Sequence, residues 1–379
     1  METNEARSTG HKVGFQDAPF LEILNHGLTQ MSTEEGVIET SVVNALTIDV
    51  EDYFQVHAFS EVICPADWDC FESRVERNTH RILDVLDSHN GPPTTDGRRG
   101  ERQLATFFIL GWIAERYPQL IKEIHARGHE VACHGYAHKC ISAQTPKEFK
   151  EDVKRAKEIL EDLSSVEVIG YRAPTYSVTK ETLWSLEILA ELGFRYDSSI
   201  FPIKHDFYGF CEAPRFPFCI DFSDGDLVSQ FKKPKYLHED STNTTTQRLN
   251  RSNTLKTDSN SMLHAPCSTR SSCFVEFPLS TICLFGRNLP CAGGGYFRLF
   301  PYWYTKHGFK RINHKRLEPA IFYLHPWEID PELPLVSHAS PLAKFRTYVN
   351  LKATETKLTR LLSEFKFAPL ASILMNCGS

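Results

Sequence analysis

The stretch VACHGYAH, at residues 131–138, places two histidines directly after a short apolar run. The apolar residues predict a buried strand that ends where the histidines begin. His134 and His138 are four residues apart, so on a helical turn they would share a face and both imidazoles could reach one cation. Because the chain has sixteen histidines, the pair alone is a weak signal and needs a third ligand.

Carboxylates that could supply this ligand follow another strand-like run. The sequence TIDVED, at residues 47–52, contains Asp49, Glu51 and Asp52. Asp49 and Glu51 would point the same way on a strand, whereas Asp52 would point to the opposite face unless the strand had ended. Two histidines and one carboxylate with an open position form a known hydrolytic zinc site. The two stretches together indicate a catalytic metal site.

Strand-like and helix-like patterns alternate along most of the chain. Apolar runs predict strands at residues 45–49, 105–111, 128–133, 168–174, 194–200, 274–279 and 320–328. Apolar periodicity predicts helices at residues 74–86, 146–164, 179–192 and 345–362. This alternation indicates an α/β fold of βαβ units, in which functional groups lie at the carboxyl ends of parallel strands. Asp49, His134, Arg172 and Asp197 all occupy such ends.

Composition divides the chain into four segments. Residues 1–43 are polar and aperiodic, which predicts an N-terminal extension. Residues 44–220 hold the first strand–helix units. Residues 221–272 form a polar stretch with hardly any apolar period, which predicts a disordered insertion. The strand and helix pattern returns in residues 273–370.

Charge and composition exclude several classes of protein. The formal net charge of -6 is unlike the basic surface that binds nucleic acid or an anionic membrane. No run approaches the roughly 18 apolar residues of a spanning helix, and the N-terminus lacks a secretory signal, which predicts a cytoplasmic protein. The 11 cysteines, an odd number without a CxxC pair, favour free thiols over a disulfide framework. The sequence does not indicate an oligomeric state.

Six motifs occur in an order that resembles the polysaccharide deacetylase family, the NodB-homology carbohydrate esterases. They are TIDVED (47–52), ATFFILG (105–111), HGYAH (134–138), YRAPTYS (171–177), YDSS (196–199) and FYLHPWE (322–328). The stretch GRNLPCAGGGYFR, at residues 286–298, resembles the branch with a DUF3473-type C-terminal region found beside exopolysaccharide loci. The likeness covers about residues 44–220 and 273–370. It implies a distorted (β/α) barrel, completed by the C-terminal segment, that uses one divalent metal.

The resemblance assigns roles on the metal side of the site. Asp49 is expected to be the general base, and Glu51 the carboxylate ligand beside the two histidines of HGYAH. The commoner family pattern has two adjacent aspartates, and Val50 occupies the second place here. Asp52 is therefore a rival to Glu51. Zinc is the default metal for these ligand types, and iron, cobalt, nickel or manganese remain alternatives.

The resemblance also implies roles for residues from later motifs. Arg172 would pair with Asp49 and keep it ionised, and the backbone N–H of Tyr176 would help to stabilise an oxyanion. His325 would protonate the leaving amine, with Asp197 as the carboxylate that keeps its imidazolium available. Three residues are candidates for lining a sugar subsite: Tyr296, Arg298 and Trp327.

The expected function is metal-dependent removal of N-acetyl groups from an N-acetylhexosamine-containing polysaccharide, or its cytoplasmic precursor, in exopolysaccharide biosynthesis. One alternative is a related metal-dependent hydrolase of cyclic amides or imides, because this class of barrel also serves ring-opening chemistry and Val50 departs from the esterase pattern. Another is a non-catalytic carbohydrate-binding barrel. The presence of base, ligands, arginine and histidine together argues against the second alternative, since a binding protein needs none of that set.

Overall fold

A curved sheet organises the part of the chain that the computed structural model describes, residues 42–90, 102–205, 208–222 and 273–376. Its strands are β1 (Asn44–Val50), β2 (Thr106–Ile109), β3 (Glu130–Cys133), β4 (Gly170–Tyr171), β5 (Tyr196–Asp197), β6 (Phe218–Ile220), β7 (Phe274–Glu276), β10 (Ile321–Leu324) and β11 (Phe367–Ala368). A separate antiparallel hairpin consists of β8 (Thr281–Leu284) and β9 (Arg287–Pro290). The main sheet has the order β10-β1-β2-β3-β4-β5-β7-β6, and β11 also pairs with β1.

The strand pairs of the main sheet are parallel except β6 with β7. Parallel strands in α/β folds are covered on both faces, and all seven residues of β1 are accordingly buried. Strands β7, β10 and β11 come from the chain after residue 272 and pair with strands from before residue 200. The C-terminal segment therefore contributes to the same sheet as the N-terminal strands.

Helices connect and cover the strands. They are α1 (Val75–Ser88), α2 (Gly111–Arg116), α3 (Pro118–Ala126), α4 (Pro146–Ser164), α5 (Trp184–Glu191), α6 (Gly294–Leu299), α7 (Tyr302–Arg316), α8 (Pro341–Tyr348), α9 (Leu351–Glu364) and α10 (Leu370–Asn376). The predicted helix 146–164 is confirmed at both ends. Thr145 and Glu148 form a capping box, with Pro146 at the first helical position. In the described part of the chain, no helix combines the length and apolar character needed to cross a membrane.

Several predicted elements differ from the structure: strand 194–200 pairs only at Tyr196–Asp197, strand 320–328 ends at Leu324, and only Trp184–Glu191 of helix 179–192 is α-helical. The predicted strand 168–174 pairs only at Gly170–Tyr171, and its last predicted residue, Pro174, begins a 3-10 helix that runs to Tyr176. The predicted closing helix 345–362 is wrong as one element: α8 ends before Asn350, whose φ of 54° lies in the left-handed region, and α9 starts after it. The Asn350 side chain donates to the carbonyl oxygen of Arg298, 3.0 Å away, which stabilises this break.

The prediction of free thiols is wrong for one pair of cysteines. Cys219 in β6 and Cys273, directly before β7, form a disulfide. The antiparallel register of β6 and β7 brings these two positions together, with Cys219 opposite Val275. Of the predicted insertion 221–272, only residues 221 and 222 are described, and the predicted extension 1–43 lies outside the described residues apart from 42 and 43.

Candidate metal centre and active site

The candidate site lies at the carboxyl ends of β1, β3 and β10. Each strand is directly followed by one residue of the site: β1 by Glu51, β3 by His134 and β10 by His325. Because β1 is flanked by β10 and β2, and β2 by β3, parallel pairing brings all three chain exits to one edge of the sheet. Glu51, His134 and His325 therefore lie where functional groups were expected, at the carboxyl ends of parallel strands.

Glu51, His134 and His138 form a possible metal-binding cluster. Each offers one ligand atom, and the three atoms lie within 4.8 Å of one another. The Nε2 atom of His138 is 2.6 Å from Oε2 of Glu51, and both side chains are almost fully buried. Two imidazoles and one carboxylate are the donor set of many catalytic zinc sites with an open position. The residues therefore fit a divalent cation.

The two histidines meet through a loop, so the predicted helical turn is wrong. Gly135 has φ 74° and His138 has φ 51°, both in the left-handed region. Asp152 on α4 anchors this loop, since its Oδ2 accepts a hydrogen bond of 2.7 Å from the backbone N–H of Tyr136. A Cβ on Gly135 would lie only 3.1 Å from the same oxygen. Glycine is thus required by both the backbone angle and the close approach of the carboxylate.

His134 is held in the tautomer that a metal ligand needs. Its Nδ1 lies 2.8 Å from the carbonyl oxygen of Arg172, which can only accept, so Nδ1 carries the proton and Nε2 keeps its lone pair. Burial, together with the nearby charge of His138, lowers the pKa of His134 to about 4 despite the opposing effect of Asp49 and Glu51. The imidazole is therefore neutral at physiological pH, as metal binding requires.

The structure separates the rival carboxylates Glu51 and Asp52. Burial raises the pKa of Glu51, but the charges of His138 and His325 outweigh it and lower the pKa to about 2. Asp52 points away from the histidines and serves as a cap at the start of α1 and of the turn after β1. Its oxygens accept hydrogen bonds from the backbone N–H groups of Tyr53, Arg74 and Val75 and from the hydroxyl of Ser73. Glu51 is the residue that faces the histidines.

Asp49 is buried beside the cluster and paired with Arg172. The Nη1 atom of Arg172 donates to Asp49 Oδ1 at 2.7 Å, and the arginine side chain is fully buried. Burial raises the pKa of Asp49, but the Arg172 guanidinium and the neighbouring histidines lower it below its ordinary value. Asp49 is thus an ionised buried carboxylate, and the predicted pairing with Arg172 is present.

The predicted contribution of Tyr176 through its backbone N–H does not fit the geometry. That N–H already donates to the carbonyl oxygen of Ala173, 3.1 Å away, in a tight turn where Tyr176 has φ 53°. The side chain instead reaches the site, and its hydroxyl donates to Asp49 Oδ2 at 3.1 Å. Tyr176 therefore contacts the candidate base through its phenol.

His325 approaches Glu51 at Oε1, the carboxylate oxygen opposite the one that His138 contacts. Its Nε2 is 3.5 Å from Glu51 Oε1 and 3.8 Å from Asp49 Oδ2, and its Nδ1 is 2.6 Å from Oε1 of Glu328. Burial lowers the pKa of His325, but the carboxylates of Glu51, Glu328 and Asp49 raise it to about 9. The ring is thus protonated at neutral pH and carries a proton that faces the site.

Asp197, the predicted partner of His325, belongs to a different group. Its oxygens accept from the hydroxyl and N–H of Ser199, and it faces Glu276 on β7. Burial and the Asp197 charge hold the pKa of Glu276 well above its ordinary range, and its Oε1 accepts from the backbone N–H of Ile200 at 2.9 Å. This pair orders the loop whose residue Ser198 accepts from the Arg172 guanidinium. The carboxylate that contacts His325 is Glu328.

Two of the three predicted sugar-contacting residues are buried inside the protein. Arg298 is 2% exposed and donates from Nε to Oε2 of Glu328 at 2.5 Å. Trp327 is 5% exposed and stacks on the His325 ring with centroids 5.4 Å apart. Tyr296 is partly buried and packs edge-on against Phe201. The interpretation of Arg298 and Trp327 as sugar contacts is wrong, because both support the site from within.

Sequence reasoning missed Glu328 and Glu276. Glu328 ends the FYLHPWE motif, and its spacing of three residues from His325 was the available signal. Glu276 interrupts the apolar run FVEF at residues 274–277, and an acidic residue inside a buried strand needs a polar partner. Neither signal identifies the partner, because the contacts of both residues depend on the tertiary fold.

Comparison with known proteins gives matches to two families. Residues 98–196 match the model of the polysaccharide deacetylase family, and residues 251–375 match the domain of unknown function DUF3473. The first match contains His134, His138 and Arg172, and it begins after Asp49 and Glu51. The second contains Arg298, His325 and Glu328.

Individual relatives agree with these matches. A peptidoglycan deacetylase-like protein of Gibberella zeae is 30% identical over 120 residues, which are 32% of this chain and 32% of that protein. A peptidoglycan deacetylase of Helicobacter pylori is 34% identical over 96 residues, 25% of this chain and 32% of that protein. The chain thus spans about a third of the length of these curated relatives.

Structural comparison gives the same fold. The crystal structure of a probable polysaccharide deacetylase from Pseudomonas aeruginosa PAO1 superposes with a TM-score of 0.50 and 12% identity, covering 89% of this chain and 91% of that one. The likeness confirms the predicted distorted barrel, here with a curved open sheet. The chain therefore contains a polysaccharide deacetylase domain, followed by a DUF3473 domain.

Proposed function

We propose that the chain is a metal-dependent hydrolase that removes N-acetyl groups from an N-acetylhexosamine-containing polysaccharide. The observation that carries this proposal is that Asp49 and His325 both lie beside the metal cluster, with His325 Nε2 3.8 Å from Asp49 Oδ2 and 3.5 Å from Glu51 Oε1. One flanking group is an ionised carboxylate and the other a protonated imidazole. Amide hydrolysis needs such a pair, because water must lose a proton and the leaving amine must gain one.

The ligands of the proposed metal are Glu51, His134 and His138. A divalent ion bound there supplies Lewis-acid polarisation of an acyl oxygen and increases the acidity of water. Asp49 accepts the proton of the attacking water through the carboxylate that Arg172 keeps ionised. His325 then delivers its Nε2 proton to the amine nitrogen as the carbon–nitrogen bond breaks. Zinc is the metal we propose, since two imidazoles and a carboxylate suit it, with iron, cobalt, nickel and manganese to be compared.

The proposed substrate is a polymer or oligomer of N-acetylhexosamine. The names of the relatives support an N-acetylated cell-envelope glycan. The narrower proposal of a role in exopolysaccharide biosynthesis rests on the resemblance of residues 286–298 to the branch found beside exopolysaccharide loci. The cytoplasmic location expected from the sequence stays a prediction. The disulfide between Cys219 and Cys273 favours an oxidising compartment instead, because cytosolic thiols are normally kept reduced. Alkylation of free thiols in the protein from its native cells would decide between the two compartments. Labelling of Cys219 and Cys273 would support the cytoplasm, and their protection would support the oxidising compartment.

Metal analysis combined with acetate release tests the proposed function. The wild-type protein is expected to contain about one divalent ion per chain and to release acetate from N-acetylglucosamine oligomers. Glu51→Gln and His134→Ala are expected to lose both the metal and the activity.

Asp52→Asn is the matched control for Glu51→Gln. It changes the neighbouring carboxylate, which accepts four hydrogen bonds away from the metal cluster. We expect it to retain the metal and to lose about 1 kcal/mol of stability through a weaker cap. Acetate release at the wild-type rate from metal-free protein or from Glu51→Gln would refute the proposed function.

A further inference from the structure

We infer that Glu328 and Arg298 are positioning residues for His325, so that the DUF3473 segment supplies the acid half of the catalytic site. All three residues lie within the 251–375 match, whereas the metal ligands and Asp49 precede it. The inference deepens the proposed function and rests on it. It gives a catalytic task to a segment whose family description names none.

Glu328 fixes the orientation of the His325 ring. It is fully buried, and its Oε1 accepts both from the His325 backbone N–H, at 3.1 Å, and from Nδ1, at 2.6 Å. Because one oxygen holds the backbone and the ring of the same residue, the imidazole has little freedom to rotate. Trp327 packs parallel to the ring at an interplanar angle of 19°. The free nitrogen, Nε2, is therefore held toward Asp49 and Glu51.

Arg298 holds Glu328 in place and keeps it an acceptor. Its Nε donates to Glu328 Oε2 at 2.5 Å, so both oxygens of the buried carboxylate have a partner. The rest of the guanidinium donates to three backbone carbonyls at the junction of α8 and α9. These acceptors are Arg346 at 2.8 Å, Thr347 at 2.8 Å and Val349 at 3.2 Å. A buried carboxylate without a cation would tend to take up a proton and could then no longer accept from Nδ1.

The glycine run before α6 explains how Arg298 reaches this position. Gly293 has φ 102°, and a Cβ there would lie 2.2 Å from the carbonyl oxygen of Tyr323 on β10. A Cβ on Gly294 would lie 2.3 Å from the Tyr323 hydroxyl. Only glycine allows α6 to start so close to β10, the strand that directly precedes His325. The branch-specific stretch 286–298 thus places Arg298 behind the acid.

The chemical step that this assembly serves is departure of the amine. Water adds its oxygen to the acyl carbon while Asp49 takes one of its protons, and the carbon–nitrogen bond then breaks. The Nε2 proton of His325 goes to the departing nitrogen, and Nδ1–H stays bonded to Glu328. The products are acetate and the free amine, so no further reactant is needed.

A comparison of two substrates separates a positioning role from a merely structural one. N-acetylglucosamine oligomers have a poor leaving group that needs a proton, whereas p-nitrophenyl acetate has a leaving group that does not. Glu328→Gln keeps the size of the side chain but removes its charge. We expect it to lower kcat on the oligomers by about 100-fold, within the usual contribution of general acid catalysis, and to change ester hydrolysis by less than about threefold.

The same two substrates test two further variants, Arg298→Lys and the control Glu332→Gln. The lysine variant keeps a charge near Glu328 but lacks the fork of donors, and we expect a smaller loss with the same preference for the oligomers. Glu332 is exposed in the same segment, and its variant is expected to match the wild type on both substrates.

The outcomes distinguish a failure of the positioning role from a failure of the proposed function. Equal loss on both substrates in Glu328→Gln and Arg298→Lys, or no loss on the oligomers, would overturn the positioning role while the proposed function stands. Arg298→Lys alone decides the question if Glu328→Gln does not fold. A wild-type protein that hydrolyses neither compound would overturn the proposed function, and the positioning role with it.

Discussion

Replacing Arg172 by methionine is expected to destabilise the metal-free protein by about 3–5 kcal/mol at pH 7, the usual cost of removing one partner of a buried ion pair. The Arg172 guanidinium is fully buried and donates four hydrogen bonds. The acceptors are Asp49 Oδ1 at 2.7 Å, Thr47 Oγ1 at 2.6 Å, and the carbonyl and hydroxyl oxygens of Ser198 at 2.8 and 2.7 Å. Methionine fills part of the space but donates nothing, so Asp49 loses its guanidinium partner and keeps the Tyr176 hydroxyl at 3.1 Å and the more distant His325 Nε2 at 3.8 Å.

The double variant Asp49→Asn/Arg172→Met separates the charge effect from the loss of packing. Asparagine removes the charge that the single variant leaves without its guanidinium partner. We therefore expect the double variant to be more stable than Arg172→Met alone by roughly 1–3 kcal/mol, the usual coupling of residues in contact. It should still lack deacetylase activity, because no base remains.

The stability difference should also depend on pH. In the wild type, the pKa of Asp49 is lowered by Arg172 against the effect of burial, so its contribution to stability is present above the unfolded pKa and is lost as pH falls through the folded value. In Arg172→Met, burial would dominate and raise the folded pKa, so the folded variant binds the proton more strongly than the unfolded chain. The variant should gain relative stability as pH falls, and the gap to the wild type should narrow between pH 7 and pH 5.

Urea unfolding with a chelator present, at both pH values, measures these differences. Metal must be absent because binding to the native state would add its own stabilisation. A loss below about 1 kcal/mol for Arg172→Met would contradict the buried ion pair, since this is the scale of an exposed pair. A gap that stays constant or widens on acidification would contradict the charge state assigned to Asp49.

Two further predictions concern the supports of the site and the fold. Asp152→Ala removes the acceptor for the Tyr136 N–H, and we expect metal affinity to fall by roughly 10–100-fold although Asp152 is not a ligand. Isothermal titration measures this affinity. The control is Asp162→Ala, an exposed site on the same helix, which should bind metal as the wild type does. Replacing Cys219 and Cys273 by serine opens a disulfide with a sequence separation of 54, which the chain-entropy estimate values at about 4 kcal/mol. Urea unfolding should give the same loss for wild type in reductant, and unchanged stability in both tests would exclude the bond.

The sequence predicted the parts of the site that depend on local order. Strand patterns placed Asp49 and His134 at strand ends, and parallel strands bring such ends to one edge. Spacing also singled out His138 and Glu51 as candidate ligands, and the structure brings both to His134. The loop geometry was not predictable in the same way, because the left-handed φ of His138 depends on contacts such as that of Asp152 with the loop.

The sequence by itself determined the alternation of strands and helices, since apolar period and capping residues act over a few positions. Only the tertiary structure decided that Glu328 rather than Asp197 contacts His325, and that Arg298 is buried behind them. The reason is that these side chains choose partners by distance in space, while sequence patterns record distance along the chain. Arg172 meets Asp49 across 123 residues, and only the folded sheet makes them neighbours.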